Sequence, residues 1–291
     1  MADAQTTTDD AARDKAQRSI LITGCSSGIG YASAHGLKQR GWRVFATCRN
    51  AADCERLRGE GLEAFVLDYQ NMDSIAAGAD EALSRTGGRL DALFNNGAFA
   101  SPGAVEDLPT DAFREIFEAN FFGWHELTRR VLPTMRAQGH GRIVQNSSVL
   151  GFCTLKYRGA YQSTKYALEG YTDTLRLELK GSGVEAVLIE PGPVDSRIRQ
   201  NSYAHFKKWV RWEGSPHAAI YPKVEDRLTA EVVKSDWELP AEAVVKKLVH
   251  ALESPRPQAR YYVTTPTYYI AFMKRILSTR ALDRLLIKQS Y

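Results

Sequence analysis

The chain has 291 residues, enough to bury a sizeable core in one large domain or two small ones. Apolar residues at 44% and charged ones at 25% match a soluble globular protein, and a net charge of +4, spread without a basic stripe of interleaved aromatics, argues against nucleic acid as a partner. The four cysteines, Cys25, Cys48, Cys54 and Cys153, lack C-x-x-C spacing, which argues for reduced thiols in a cytoplasmic protein and against a disulfide scaffold.

Residues 1–17 are polar and lack an apolar h-region, so they read as a disordered tail and not as a signal peptide. No run of 18 apolar residues predicts a membrane-spanning helix. From residue 18 to 291 the pattern is one domain. Short apolar or β-branched runs predict strands over 18–24, 43–49, 63–68, 90–96, 141–148, 183–191 and 260–265. Between them helical patterns run over 28–40, 50–60, 71–86, 109–136, 158–181 and 240–253, with glycine stops at Gly41, Gly87-Gly88, Gly139 and Gly181. Ile20-Leu21-Ile22 and Val187-Leu188-Ile189 are continuous apolar runs, as strands buried on both faces require. Strand and helix in alternation predict an α/β fold, a doubly wound parallel seven-stranded sheet with helices on both faces.

Residues 192–239 break the alternation and form a lid insertion after the sixth strand, with Tyr203, Phe206, Trp209 and Trp212 in it. Folded over the carboxyl edge of the sheet, those aromatics would make an apolar substrate pocket, or else they attach the lid to the body. The C-terminal segment 266–291 carries Tyr269, Phe272, Met273, Ile276, Leu282, Leu285 and Leu286 at helical spacing beside Lys274, Arg275, Arg280, Arg284 and Lys288. A basic amphipathic helix of this kind is suited to peripheral contact with an anionic membrane; as a stripe it also suits a core or a subunit contact.

The turn Thr23-Gly24-Cys25-Ser26-Ser27-Gly28-Ile29-Gly30 follows the first strand and opens the first helix. Backbone N–H groups at such a turn face an anion, and the glycines permit the tight turn, the approach of a pyrophosphate and close helix packing. The second strand ends in Cys48-Arg49, where an acidic residue would accept the ribose hydroxyls of NAD; an arginine fork suits a 2′-phosphate, so NADP(H) is the expected cofactor. Asp68, closing the third strand, is placed either to hold the adenine amino group or to cap the next helix.

Tyr161 and Lys165, four apart, share one helix face, and Ser148 stands 13 residues before Tyr161. Chance alone gives roughly 0.6 such Tyr/Lys pairs in this composition, and Tyr203/Lys207 is a second one, so position decides. Tyr161 follows the fifth strand, whose carboxyl end carries Ser148; Ser147 is the rival serine. A phenol with a pKa of about 10 is a poor acid near neutrality, and Lys165 is expected to lower it. Ser148 would then donate a hydrogen bond to the developing oxyanion.

With Asn95-Asn96-Gly97-Ala98 after the fourth strand, Asn120 in the long helix and Pro191-Gly192-Pro193-Val194-Asp195-Ser196 after the sixth, these motifs resemble a short-chain dehydrogenase/reductase of the single-domain branch over nearly all of 18–265. The chain is most similar to NADP-preferring hydroxysteroid and retinol dehydrogenase-like members and to bacterial aldehyde reductases. The resemblance implies Tyr161 as acid/base, Ser148 as stabiliser, Lys165 also on the nicotinamide ribose, and Asn120 anchoring a proton-relay water. It implies a cofactor held by Gly24, Ser26, Ser27, Gly28, Ile29, Gly30, Arg49, Asp68, Asn96, Gly97, Tyr161, Lys165, Pro191, Gly192, Val194 and Ser196, with Ser27 and Arg49 flanking the 2′-phosphate and no metal. The family's usual Asn-Asn-Ala-Gly is Asn-Asn-Gly-Ala here, which moves the flexible residue one place earlier.

The expected activity is NADPH-dependent reduction of an apolar aldehyde or ketone, or alcohol oxidation in reverse, by a homodimer or homotetramer assembled through the helices at 109–136 and 158–181. The alternatives are a steroid- or retinoid-specific dehydrogenase and a non-catalytic nucleotide sensor or scaffold.

Overall fold

A computed structural model describes residues 17–230 and 236–288, so residues 1–16 of the expected tail, 231–235 of the lid and the last three residues lie outside the described part. The strands are β1 (Ser19–Ile22), β2 (Arg43–Cys48), β3 (Glu63–Val66), β4 (Ala92–Asn95), β5 (Gly141–Asn146), β6 (Val184–Glu190) and β7 (Arg260–Tyr262). They form one parallel sheet in the order β3-β2-β1-β4-β5-β6-β7. The order reverses between β1 and β4, and at that crevice an open α/β sheet offers its carboxyl ends to a ligand.

The helices in chain order are α1 (Gly28–Gln39), α2 (Ala51–Gly59), α3 (Met72–Arg85), α4 (Thr110–Phe117), α5 (Gly123–Ala137), α6 (Gly159–Glu178), α7 (Ile198–Trp209), α8 (Tyr221–Thr229), α9 (Glu242–Glu253), α10 (Thr265–Ile276) and α11 (Thr279–Ile287). Period-two alternation divides the core. Ile20, Ile22, Val44, Ala46 and Phe94 pack with Ala34 and Leu37 of α1 and Val244 and Leu248 of α9. Leu21, Phe45 and Leu93 face the other way, onto Ile75 and Ala79 of α3, Trp124 and Leu127 of α5, and Leu168 of α6.

The continuous helix expected over 109–136 is two helices joined by a π-helical turn at Glu118–Phe122, with Asn120 inside it. A one-residue widening needs neither Gly nor Pro, so hydrophobic periodicity does not reveal it. The lid is not a long loop: α7, a short 3-10 turn at Ala218–Ile220 and α8 occupy it, and a bridge pairs Val194 with Leu239.

Of the two placements open to the lid aromatics, the structure shows attachment to the body. Phe206 and Tyr221 are fully buried, and Trp212 stacks on Tyr221 with centroids 5.5 Å apart. They form a third core with Ala112 and Ile116 of α4, while Tyr203 bonds Glu225 at 2.9 Å and Trp209 donates to Glu115. Flat aromatic faces bury more area against α4 than they could against a wet cleft, so they fasten the lid. The C-terminal stripe is split over α10 and α11. Tyr269, Phe272 and Ile276 are each half exposed or more, whereas Leu286 is buried. Among the described residues no helix is long and apolar enough to cross a membrane.

Two close approaches set the crevice. Gly24 has φ +67°, and a Cβ there would stand 2.6 Å from Gly97 Cα; a Cβ on Gly30 would collide with the Gly24 carbonyl. Gly24→Ala is therefore expected to cost more than the roughly 1–3 kcal/mol of a left-handed non-glycine residue alone, measured by urea unfolding.

Candidate active site

A cleft of about 440 Å³ opens along the carboxyl ends of β1, β2, β4, β5 and β6. Gly24, Ser26, Ser27, Gly28, Ile29, Arg49, Asp68, Asn96, Gly97, Ser148, Tyr161, Lys165, Pro191, Gly192, Val194 and Ser196 all line it. Two expected site residues do not: Gly30, which is packed behind the turn, and Asn120.

At the glycine-rich end the β1–α1 turn is held from several sides. Cys25 N–H donates to Thr47 O at 2.9 Å, and Arg56 donates to Ser26 O at 2.7 Å. Thr23 Oγ1 accepts from Tyr69 Oη at 2.8 Å and from the Asn96 amide at 2.9 Å. Asn96 Nδ2 reaches Thr23 O at 2.9 Å, so β4 clamps the turn. Ser27 is the N-cap of α1, yet its side chain makes no capping bond, and the first turn carries no acidic residue. Its hydroxyl and the helix N-terminus are thus directed at the cleft and suited to an anion.

Arg49 is exposed, and among the described residues no ion pair engages it. Asp68 does not cap the following helix: Oδ1 accepts from Gln70 N at 3.0 Å, and the cap of α3 is Asn71, which accepts from Ser74 N at 3.0 Å. An Asx turn satisfies Asp68 locally and leaves the cap to the residue nearer the helix. Gly97 is glycine for space: its φ is not positive, but a Cβ would press on Gly24 at 3.3 Å and on Tyr69 at 3.4 Å. The Gly-Ala inversion thus supplies proximity at Gly97.

At the other end, α6 starts beside the turn after β5. Ser147 and Ser148 differ sharply. Ser147 Oγ donates to buried Glu169, whereas Ser148 Oγ accepts from Leu150 N at 3.1 Å and faces the Tyr161 hydroxyl. Tyr161 is buried, and burial pushes its pKa up to about 12 against a hydrogen bond from Ser148 and the charge of Arg158. Lys165 is not among those opposing groups, contrary to expectation. Its Nζ lies 5.6 Å from the Tyr161 ring centroid and 4.3 Å from that of Trp124, and donates to Asn146 O at 2.8 Å. Burial lowers Lys165 to about 7, with Glu169 opposing the shift.

Asn120 is spent on the backbone. Nδ2 donates to Phe99 O at 2.8 Å and Oδ1 accepts from Phe99 N at 3.1 Å, with Thr164 Oγ1 at 3.4 Å. The π-helical turn brings this amide against the segment after β4, so the side chain fixes that segment. The second Tyr/Lys pair faces outward: Tyr203 and Lys207 both bind Glu225.

Several lining residues were not anticipated. Asn146 ends β5, donates to Asn96 Oδ1 at 2.8 Å and leaves its own Oδ1 unpaired; its place at a strand's carboxyl end was the available signal. Arg158, Arg197, Arg199 and Arg227 also line the cleft, and Arg199 pairs with Glu238 at 3.5 Å. Arginines on helix ends and loops read from sequence as solvated, so pattern gave no sign of them.

Residues 18–206 match the family model described as short chain dehydrogenase. The chain belongs to the short-chain dehydrogenase family. An uncharacterized oxidoreductase, YbbO of Escherichia coli K12, is 40% identical over 93% of this chain and 94% of its own. Human retinol dehydrogenase 8 is 36% identical over 84% and 81%. A short-chain dehydrogenase structure from Streptomyces avermitilis superposes with a TM-score of 0.74 at 24% identity, over 93% and 96% of the two chains. The chemistry of this short-chain dehydrogenase is accordingly oxidoreduction.

Lys165 yields a stability prediction. Its folded pKa of about 7 lies below the roughly 10.4 of a free lysine, so between those values the unfolded chain binds more protons and stability rises with pH. Relative to the parent, Lys165→Met is expected to gain in Tm, most at and below pH ~7, with the gain shrinking toward pH ~10. Thermal melts of both proteins across that range measure it.

Proposed function

We propose that this short-chain dehydrogenase is an NADPH-dependent carbonyl reductase, reversible as an alcohol dehydrogenase. The observation that carries the reading is the meeting of the Tyr161 and Ser148 hydroxyls over buried Lys165, in the same cleft as the β1–α1 turn. The cleft's residues suit a dinucleotide: glycines where a Cβ would intrude, an uncommitted Ser27 hydroxyl at a helix N-terminus, and a free Arg49 fork at the end of β2 for a 2′-phosphate. A bound nicotinamide supplies the hydride.

The remaining work belongs to the chain. Ser148 donates to the substrate oxygen and orients the carbonyl, and Tyr161 gives that oxygen its proton. A phenol held near 12 keeps its proton at neutral pH and so stands ready as the acid in the reductive direction. Lys165 uses one N–H on Asn146 O and has two more for ribose hydroxyls. Asn120 fixes Phe99 through both side-chain atoms and so holds the segment after β4 against the site.

For the substrate, Phe99, Ala100, Leu150, Leu155, Ile198 and Leu228 give the catalytic end an apolar wall. They support an apolar aldehyde or ketone. The similarity to a relative named for retinol points the same way.

In Tyr161→Phe, turnover against a panel of aliphatic aldehydes, retinoids and steroids is expected to fall by roughly 10²–10⁴-fold while NADPH still binds. Full activity in that variant would refute the acid assignment. Arg49→Asp should move the ratio of NADPH to NADH affinity toward NADH by roughly tenfold or more, read from binding isotherms of both. An unmoved ratio would make Arg49 a surface residue only.

A further inference from the structure

Behind the cleft lies a buried ionic cluster that the reaction as described does not use. Glu169 follows Lys165 by one turn, so Tyr161, Lys165 and Glu169 lie along one face of α6. Its two oxygens have different partners. One accepts from Ser147 Oγ and the other from Arg260 Nη1. Arg260, on β7, also holds Glu190 at 2.6 Å and Asp173 at 2.6 Å, and Asp173 in turn pairs with Arg176 at 2.6 Å.

One guanidinium therefore joins three elements that carry the site. Glu169 and Asp173 belong to α6, Ser147 adjoins Ser148, and Glu190 immediately precedes Pro191, whose carbonyl accepts from Val149 N at 2.8 Å. The packing leaves no slack: a Cβ on Gly151 would stand 2.7 Å from both Glu169 Oε1 and Ser147 Oγ. Glu190 is wholly buried, and burial followed by the proximity of Glu169 pushes it up to about 8.

We propose that Glu169, clamped by Arg260, is a positioning residue of this short-chain dehydrogenase: it tethers the Ser147-Ser148 turn to the catalytic helix and is the anionic counterpart of the Lys165 ammonium. The proposal rests on Ser148, Tyr161 and Lys165 being the catalytic group. The charged and titratable neighbours of Glu169 are Lys165, Tyr166 and Asp173 from its own helix, Glu190 from β6, and Arg260 and Tyr262 from β7. Cys153 and Lys274 lie beyond Tyr166. Of these, Lys165 is the one that the proposed reaction uses, as the N–H donor to Asn146 O and the ribose hydroxyls. Glu169 is the group that raises the Lys165 pKa against burial.

The test is an NMR titration of the full chain labelled at lysine Cε, with the Lys165 signal assigned from its loss in Lys165→Arg. In Glu169→Gln the Lys165 midpoint should fall by about one pH unit, and Glu169→Asp, which keeps the charge, should restore it. An unchanged midpoint in Glu169→Gln overturns the counter-charge. If that variant does not fold, Lys165 is read in Glu169→Gln/Arg260→Met against Arg260→Met alone: the midpoint should be lower in the double variant, and an equal midpoint overturns the counter-charge. The tether is read separately, from Ser147→Ala with decanal and NADPH: turnover should drop with the Lys165 midpoint unmoved, and parental turnover overturns it. The midpoint needs no turnover, so a failure of the Tyr161→Phe expectation would sink the carbonyl-reductase reading and leave this measurement standing.

Discussion

Lys165 brings an ammonium group into the interior, and the arrangement of the catalytic end follows from keeping it there. A buried cation loses its hydration and must be met by dipoles and opposite charge. Three supports are in place: the Asn146 carbonyl at 2.8 Å, the Trp124 ring face at 4.3 Å, and Glu169 one turn along the helix. Each belongs to a different element, so α5, α6 and the end of β5 must be in register for any of them to work. Asn120 and its π-helical turn extend the same requirement to the segment after β4.

Much of this fold was legible in the sequence because burial on both sheet faces leaves an unambiguous trace. Ile20-Leu21-Ile22 sends alternate side chains to opposite cores, as a continuous apolar run should. Most strand boundaries fall within two residues of those expected. The glycine-rich turn and the Ser148/Tyr161/Lys165 group were legible for another reason: they depend on spacing within or between elements adjacent in the chain, which sequence records directly.

What sequence concealed depends on contacts between elements. The π-helical turn involves one extra residue and no breaker. The lid aromatics carry the same pattern whether they face a cleft or a core, and only the tertiary placement of α4 decides that Phe206 and Trp212 face inward. Gly97 read as the family's flexible residue moved one place earlier; in the fold its space is set by Gly24, 73 positions away in sequence and pressed against it. The electrostatics of Tyr161 were misjudged for the same reason. Helical spacing shows that Lys165 is near, but not that both groups are buried, and burial raises the Tyr161 pKa against Ser148 and Arg158.

The attachment of the lid also bears on traffic through the cleft. Swinging the lid as a unit would expose Phe206, Trp212 and Tyr221 together, at a cost of several kcal/mol at ~25 cal/mol per Å². A door fastened that firmly is a poor door. The cleft's rim beside the lid is formed by residues 197–202, the start of the same α7, where Arg197 and Asn201 are exposed and Arg199 pairs with Glu238 at 3.5 Å. The bulk of the lid thus behaves as part of the cleft's walls, its shape fixed by the same packing that holds α4.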